Sequence, residues 1–272
     1  MGKIHESEFR EGRSHPSDSF LRPEMFPTVW CPGCGIGTAL YGFLEAGRDA
    51  EIPVDRLRVV TGIGCTGPIA GSLALKTHGV GGRSPVRFAI DLKARHPELT
   101  IGVFLNNADL MLSGAEGLKE AGRRKLPLTV IVVNNFVLSV SRNGAFPMTP
   151  YRRRSRDGRF ELPFNIPDMA CAYGAAYVAR WTPLREGWMK ESMADSFSVS
   201  PGFSLIEVIS PCLLYDANGG RILDSIDRMK YYNDHSEIRF GAATANLDLR
   251  RRKTIILGVF RDRSRKRGEE RP

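Results

Sequence analysis

The chain has 272 residues, with 39 Lys and Arg against 30 Asp and Glu for a net charge of +9; 42% are hydrophobic and 25% charged. That balance is ordinary for a globular protein and excludes collagen-like, coiled-coil and wholly disordered chains. No apolar run reaches the roughly 18 residues that a bilayer span needs, and the opening residues, Met1-Gly2-Lys3-Ile4-His5-Glu6, lack the apolar stretch of a signal peptide, so a cytoplasmic protein without a membrane span is expected.

In chain order, residues 1–24 are polar and without periodicity, and read as an extended arm that orders only against something else. Residues 25–260 alternate short β-branched runs with helical stretches, and 261–272 form a basic tail. Strands are predicted at Leu57–Thr61, Ile101–Leu105, Thr129–Val133, Ala176–Trp181, Phe203–Ile209 and Ile255–Phe260. These are near-continuous apolar runs, as in strands buried on both faces. Helices are predicted at Thr38–Ala46, Gly67–Leu75, Leu112–Arg124, Pro167–Tyr173 and Leu184–Ala194. The alternation predicts an α/β fold, a mostly parallel sheet sandwiched by helices, in one domain with two tails.

Basic residues cluster at Arg152-Arg153-Arg154-Ser155-Arg156, at Arg250-Arg251-Arg252-Lys253 and in the tail. No RNP aromatics, zinc-finger spacing or helix-turn-helix accompanies them, so nucleic-acid binding is not expected. They read as solvated surface or as a face for an acidic partner.

The five cysteines carry the first chemical signal. Cys31-Pro32-Gly33-Cys34 is a C-x-x-C, Cys65 follows Gly62-Ile63-Gly64, and Cys212 follows Ser210-Pro211. Each lies in a Gly- or Pro-rich turn, where backbone can wrap an inorganic centre. Four thiolates can hold a [4Fe–4S] cluster or a tetrahedral zinc, a C-x-x-C can also be a redox pair, and cysteines are often simply buried. Spacing leaves these open. Cys171, within a predicted helix, reads as a core thiol. Gly62-Ile63-Gly64-Cys65-Thr66-Gly67 fits G-x-G-x-x-G, but the second strand and acidic residue of a dinucleotide fold do not follow it. Asn106-Asn107-Ala108-Asp109 and Asn134-Asn135 end successive predicted strands. Their oxygens suit Mg²⁺, and equally suit turns and helix caps.

The segment from Leu21-Arg22-Pro23-Glu24-Met25-Phe26-Pro27-Thr28-Val29-Trp30 through Cys31-Pro32-Gly33-Cys34-Gly35-Ile36-Gly37 is followed by Gly62-Ile63-Gly64-Cys65, Thr77-His78-Gly79, Asn134-Asn135-Phe136, Tyr177-Val178-Ala179-Arg180-Trp181 and Ser210-Pro211-Cys212. Together these resemble the β subunit of 2-oxoacid:ferredoxin oxidoreductases, the 2-oxoglutarate type above all. The Trp-Cys-Pro-Gly-Cys-Gly block is the specific part, and the likeness runs over residues 20–272. The resemblance implies a thiamine diphosphate-binding fold with a [4Fe–4S] cluster on Cys31, Cys34, Cys65 and Cys212. It implies Mg²⁺ on Asn107, Asp109, Asn135 and the Val137 carbonyl. Gly33, Gly64, Ala108 and Arg142 would border the cofactor, and His78 would face the active centre. The implied reaction is oxidative decarboxylation of a 2-oxoacid to an acyl-CoA, with electrons passing singly to the cluster and on to ferredoxin or a similar acceptor. The carboxylate that assists the cofactor belongs to an α- or γ-type partner subunit, so the chain is expected to act only in a hetero-oligomer.

Departures from the family gather at one motif. Asn106-Asn107-Ala108-Asp109 stands where the family has Gly-Asp-Gly-Asp, so the metal-binding aspartate becomes a neutral amide and both glycines are gone. Val140-Ser141-Arg142-Asn143-Gly144 replaces Met-Thr-Gly-Gly-Gln, where Arg142 can pair directly with a phosphate. Pro68 replaces a basic residue near the substrate, Asp91 replaces a glycine, and Val80-Gly81-Gly82 is insertion-like. Three readings follow: a working variant site, a non-catalytic paralogue that keeps the cluster for electron relay or assembly, and a zinc-stabilised binding protein.

Overall fold

The computed structural model describes residues 18–81, 83–135, 153–154, 160–161, 164–210, 212, 225–249 and 254–264. The first half runs α1 (Ile36–Asp49), β1 (Leu57–Thr61), α2 (Ile69–Ser72), β2 (Thr77–Gly79), α3 (Pro85–Arg95) and β3 (Thr100–Asn106). A short turn α4 (Asn107–Asp109), a π-helical stretch Leu110–Gly114 and α5 (Ala115–Arg123) lead to β4 (Thr129–Asn134). The two-residue strands β5 (Arg153–Arg154) and β6 (Phe160–Glu161) pair with each other. Then come α6 (Ile166–Ala172), β7 (Tyr177–Trp181), α7 (Glu186–Ser198), β8 (Ser204–Ile209), α8 (Ser225–Asp234), β9 (Ser236–Ile238) and β10 (Ile255–Asp262).

The main sheet has eight strands in the order β2-β1-β3-β4-β8-β7-β10-β9. Every pairing is parallel except β10 with β7. All residues of β1, β4, β7 and β8 are buried, which is why these strands read as unbroken apolar runs. Alternate side chains feed two cores. One holds Phe43, Phe104, Ile206 and Trp181 under α1 and α7; the other holds Val60, Val103, Val132 and Leu205 under α3, α5 and α6.

The structure adds β2, β5, β6, α8 and β9 to the predicted elements and makes the start of the helix predicted at Leu112–Arg124 π-helical. Three further differences have a local physical reason. The helix predicted at Gly67–Leu75 shortens to Ile69–Ser72, because Leu73 turns extended and bridges Leu21. That small ladder, with Ala74 N–H donating to Phe20 O at 2.8 Å, also draws Phe20 of the predicted arm into the core at 5% exposure. Helix α3 begins inside a Gly-, Arg- and Pro-rich stretch that carries no periodicity; Ser84 caps it by accepting from Arg87 N–H, and Pro85 sits in its first turn. Strand β10 runs to Asp262, two residues into the predicted tail.

A buried polar row crosses the carboxyl half of the sheet. Arg180 of β7 donates from Nε to Glu207 Oε2 of β8 at 2.7 Å, and Asn134 of β4 donates to Glu207 Oε1 at 2.6 Å. Arg180 also donates to Leu247 O at 2.8 Å. The Arg180 and Glu207 side chains are 1% and 0% exposed. Removing one partner of such a pair leaves a charge in the core. Glu207→Leu is therefore expected to lower unfolding stability by about 3–5 kcal/mol, while adding Arg180→Met recovers most of that loss. Denaturant unfolding of the single and double variants checks this; a loss below about 1 kcal/mol for the single change would contradict it.

Candidate functional site

Parallel order sets the site. The segments after β1, β3, β4 and β8 leave the same sheet edge, which is where open α/β sheets bind ligands. Cys65 follows β1, Asn107 to Asp109 follow β3, Asn135 follows β4 and Cys212 follows β8. Cys31 and Cys34 precede α1 and are brought to that edge by side-chain and backbone ties.

Those ties come from residues next to the cysteines. The Trp30 indole donates to Cys65 O at 2.8 Å. The Ser210 hydroxyl donates to Cys34 O. Cys212 N–H donates to Asn135 O at 3.2 Å, and Cys34 N–H donates to Cys31 O at 3.0 Å to close the C-x-x-C turn. Gly35, at φ 76°, starts α1 where a Cβ would stand 2.8 Å from Ser210 Oγ, so no larger residue fits the junction. Gly33 and Gly64 also take positive φ.

Two of the four thiols feel both burial and their neighbours. Burial raises the Cys34 pKa first, and Cys31, Cys65 and Cys212 raise it further. Burial likewise raises Cys65, with Cys212 and Cys31 adding to it. All four are half-buried and none is in a disulfide. Among the described residues, no three His, Cys, Asp or Glu converge as on a single metal ion. Cys171 lies elsewhere, on α6 and packed against the second core.

Asp109 is placed differently from a free metal ligand. Its Oδ1 accepts from Ile63 N–H at 3.0 Å, and its Oδ2 accepts from Asn106 N–H at 3.2 Å and from the Thr66 hydroxyl at 3.4 Å. Asn106 Oδ1 accepts from Asp109 N–H at 2.9 Å, completing a capping box, so this pair takes the cap role that the residue types allowed. Asn106 Nδ2 donates to Ile63 O at 2.6 Å. A Cβ at Gly62 would land on the Asp109 carboxylate. The carboxylate thus clamps the turn that carries Cys65. Asn107 is fully buried, Ala108 is buried beside it, and Asn135 is half-buried. Val137 and Arg142 lie outside the described residues, as does most of the basic Arg152–Arg156 cluster.

His78 goes elsewhere. It pairs with Val60 in register, its ring lies 5.0 Å from that of Phe88, and it lines a cavity with Arg58. Its pKa is lowered by burial first and by the Arg58 charge second. The structure therefore brings the four cysteines and the Asn107–Asp109 turn to one edge and leaves His78 outside that group. The roles of Gly62, Thr66, Trp30 and Ser210 were not read from sequence. The one signal for the clamp was Asn106 and Asp109 at capping-box spacing.

Burial raises the Asp109 pKa, with its three donors working in the opposite direction. A folded-state pKa above the unfolded value favours the fold below the unfolded pKa, and that contribution fades as pH rises through the folded pKa. Asp109→Asn is expected to remove this fading from the acid limb of the stability curve. Asp109→Ala leaves three donors without their acceptor and is expected to cost about 1–3 kcal/mol. Denaturant titrations across the acid range measure both; an unchanged acid limb in Asp109→Asn would contradict the assignment.

Residues 62–208 match the family model of the thiamine pyrophosphate enzyme C-terminal TPP binding domain. The chain is 33% identical over 257 residues to the 2-oxoglutarate synthase subunit KorB of Methanothermobacter thermautotrophicus, covering 93% of this chain and 89% of that one. It is 36% identical over 197 residues to the subunit of the same name from Archaeoglobus fulgidus, covering 71% and 73%. A structure of the 2-oxoglutarate:ferredoxin oxidoreductase from Magnetococcus marinus, with 2-oxoglutarate, coenzyme A and succinyl-CoA bound, superposes with a TM-score of 0.75 over 93% of this chain and 87% of that chain at 18% identity, a likeness of fold. No helix among the described residues is long and apolar enough to cross a membrane. With the thiol-bearing edge, the parallel sheet and these relatives in agreement, the chain belongs to the β-subunit family of 2-oxoacid:ferredoxin oxidoreductases.

Proposed function

We propose that this chain serves in the oxidative decarboxylation of a 2-oxoacid to an acyl-CoA, and that Cys31, Cys34, Cys65 and Cys212 hold a [4Fe–4S] cluster. The observation that carries the reading is the gathering of these thiols at one edge from remote parts of the chain. Their donor chemistry fits. Four thiolates are the ligand set that a [4Fe–4S] cluster takes, one to each iron. Burial raises the pKa of Cys34 and Cys65, with neighbouring thiols adding to it, so a positive centre is needed to make them thiolates. A cluster held there accepts electrons one at a time for delivery to ferredoxin. Cysteines outside disulfides suit a reducing cytoplasm.

The same edge is where thiamine diphosphate and Mg²⁺ would lie, and the match over residues 62–208 supports that cofactor. The Asp109 carboxylate does not fit a direct Mg²⁺ ligand, since it is turned onto Ile63, Asn106 and Thr66. Asn107 and Asn135 bring only neutral oxygens to an ion that is usually bound through carboxylates and phosphates. What the chain's own residues do is fix geometry. Trp30 and Ser210 lock the cysteine turns, Asp109 clamps the Cys65 turn, and the edge is left for an α- or γ-type partner that completes the site, with the basic clusters and the tail at 261–272 as its contact surfaces.

The Asn107 replacement and the occupied Asp109 carboxylate favour a second reading, in which the chain relays electrons or supports assembly without the cofactor. The test is turnover of the whole complex with a panel of 2-oxoacids, coenzyme A and ferredoxin, carrying Asn107→Ala and Asn135→Ala in this chain. The first reading predicts a loss of at least about tenfold with reduced thiamine diphosphate content. Unchanged turnover and content would overturn it and leave the relay.

A further inference from the structure

A cavity of about 420 Å³ lies at the amino ends of β1 and β3, across the sheet from the cysteine-bearing edge. Asp55 and Arg56 lead into β1, Leu99 leads into β3, and His96 follows the end of α3 at its mouth. Arg58, His78, Leu92 and Leu99 line its interior, while Arg56 and Lys76 are exposed at the rim. Its size is that of ordinary small-molecule sites, roughly 300–1,000 Å³.

We propose that this cavity binds a small phosphate-bearing anion. Arg58 is only 9% exposed, and among the described residues its hydrogen bond runs from Nη1 to Leu57 O at 2.9 Å. Among the described residues no carboxylate pairs with Arg56, Arg58 or Lys76. The two carboxylates in the lining are Asp55 and Glu98, and Glu98 faces His96 at 3.4 Å. A guanidinium held nine-tenths out of water without a counter-ion is unfavourable unless an anion supplies one. Its Nε and Nη2 form the fork that matches phosphate or carboxylate oxygens. A phosphoryl group carries nearly two charges and three acceptor oxygens, so it can engage Arg58, Arg56 and Lys76 together, where a single carboxylate cannot. His78, held toward its neutral form by burial and by Arg58, adds an N–H donor without a further charge. The floor of Leu92 and Leu99 is apolar, and gives room for the ester part of the ligand.

The experiment is calorimetric titration of the intact complex, saturated with thiamine diphosphate, with inorganic phosphate and glycerol 3-phosphate at fixed ionic strength. Sulfate and succinate are the comparison anions. Saturable binding of glycerol 3-phosphate is expected, weakened at least about tenfold by the exposed pair Arg56→Gln with Lys76→Gln and by Arg58→Gln, and partly kept by Arg58→Lys. The exposed pair keeps the test valid if the buried Arg58 change prevents folding. No saturable binding, equal binding in the Arg56/Lys76 variant, or tighter binding of succinate than of either phosphate would overturn the proposal. Because these residues lie across the sheet from the cysteines, loss of iron or of turnover in the cysteine-edge variants leaves this result unaffected.

Discussion

One constraint organises the molecule: β1, β3, β4 and β8 are neighbours, and all of them run parallel. Chain segments far apart in sequence must then emerge side by side at a single edge. The apolar content of the strands makes this arrangement stable, since both faces are covered by helices and every residue of the central strands is buried. The candidate site residues sit in turns just beyond that rigid frame, which is where positioned side chains can be presented without disturbing the core.

The turns themselves are held by a small set of polar contacts. Asp109 joins the turn after β3 to the turn after β1, Trp30 joins the C-x-x-C segment to Cys65, and Ser210 joins it to the end of β8. Each contact satisfies backbone groups that no strand or helix uses. The carboxylate that sequence likeness places on a metal accepts here from Ile63, Asn106 and Thr66 and so ties down the turn that carries Cys65. A negative charge in that position also suits the N-terminal turn it caps. Below the edge, the row from Arg180 through Glu207 to Asn134 fixes three adjacent strands to one another just before their loops begin.

Much of this was readable from residues alone. The strands showed as β-branched runs because burial on both faces removes any polar alternation, and the four cysteines showed as turn-borne thiols of one family. What sequence could not supply was distance across the chain. Nothing local to Gly67–Leu75 signals that Leu73 will pair with Leu21, so the tertiary contact overrides a helical pattern. Helix α3 was hidden by Gly, Arg and Pro, although Ser84 and Pro85 are ordinary start residues for a helix. Asp109 was ambiguous for a physical reason: a carboxylate accepts equally well from N–H groups and from a cation, and only the position of Ile63, Thr66 and Gly62 decides. His78 follows the motif only by likeness: in the fold it stands on the edge strand β2 beside Val60, with its ring against Phe88 of α3.

The central claim is that the carboxyl edge is a cluster site built from four thiols, with Asp109 holding it in shape. Iron and acid-labile sulfide assayed on the anaerobically purified complex test it most directly. The account predicts about four irons and four sulfides per copy of this chain, with iron content falling in Cys65→Ser and in Asp109→Ala. One zinc per chain, or iron content that is the same in Cys65→Ser as in the unaltered complex, would contradict it.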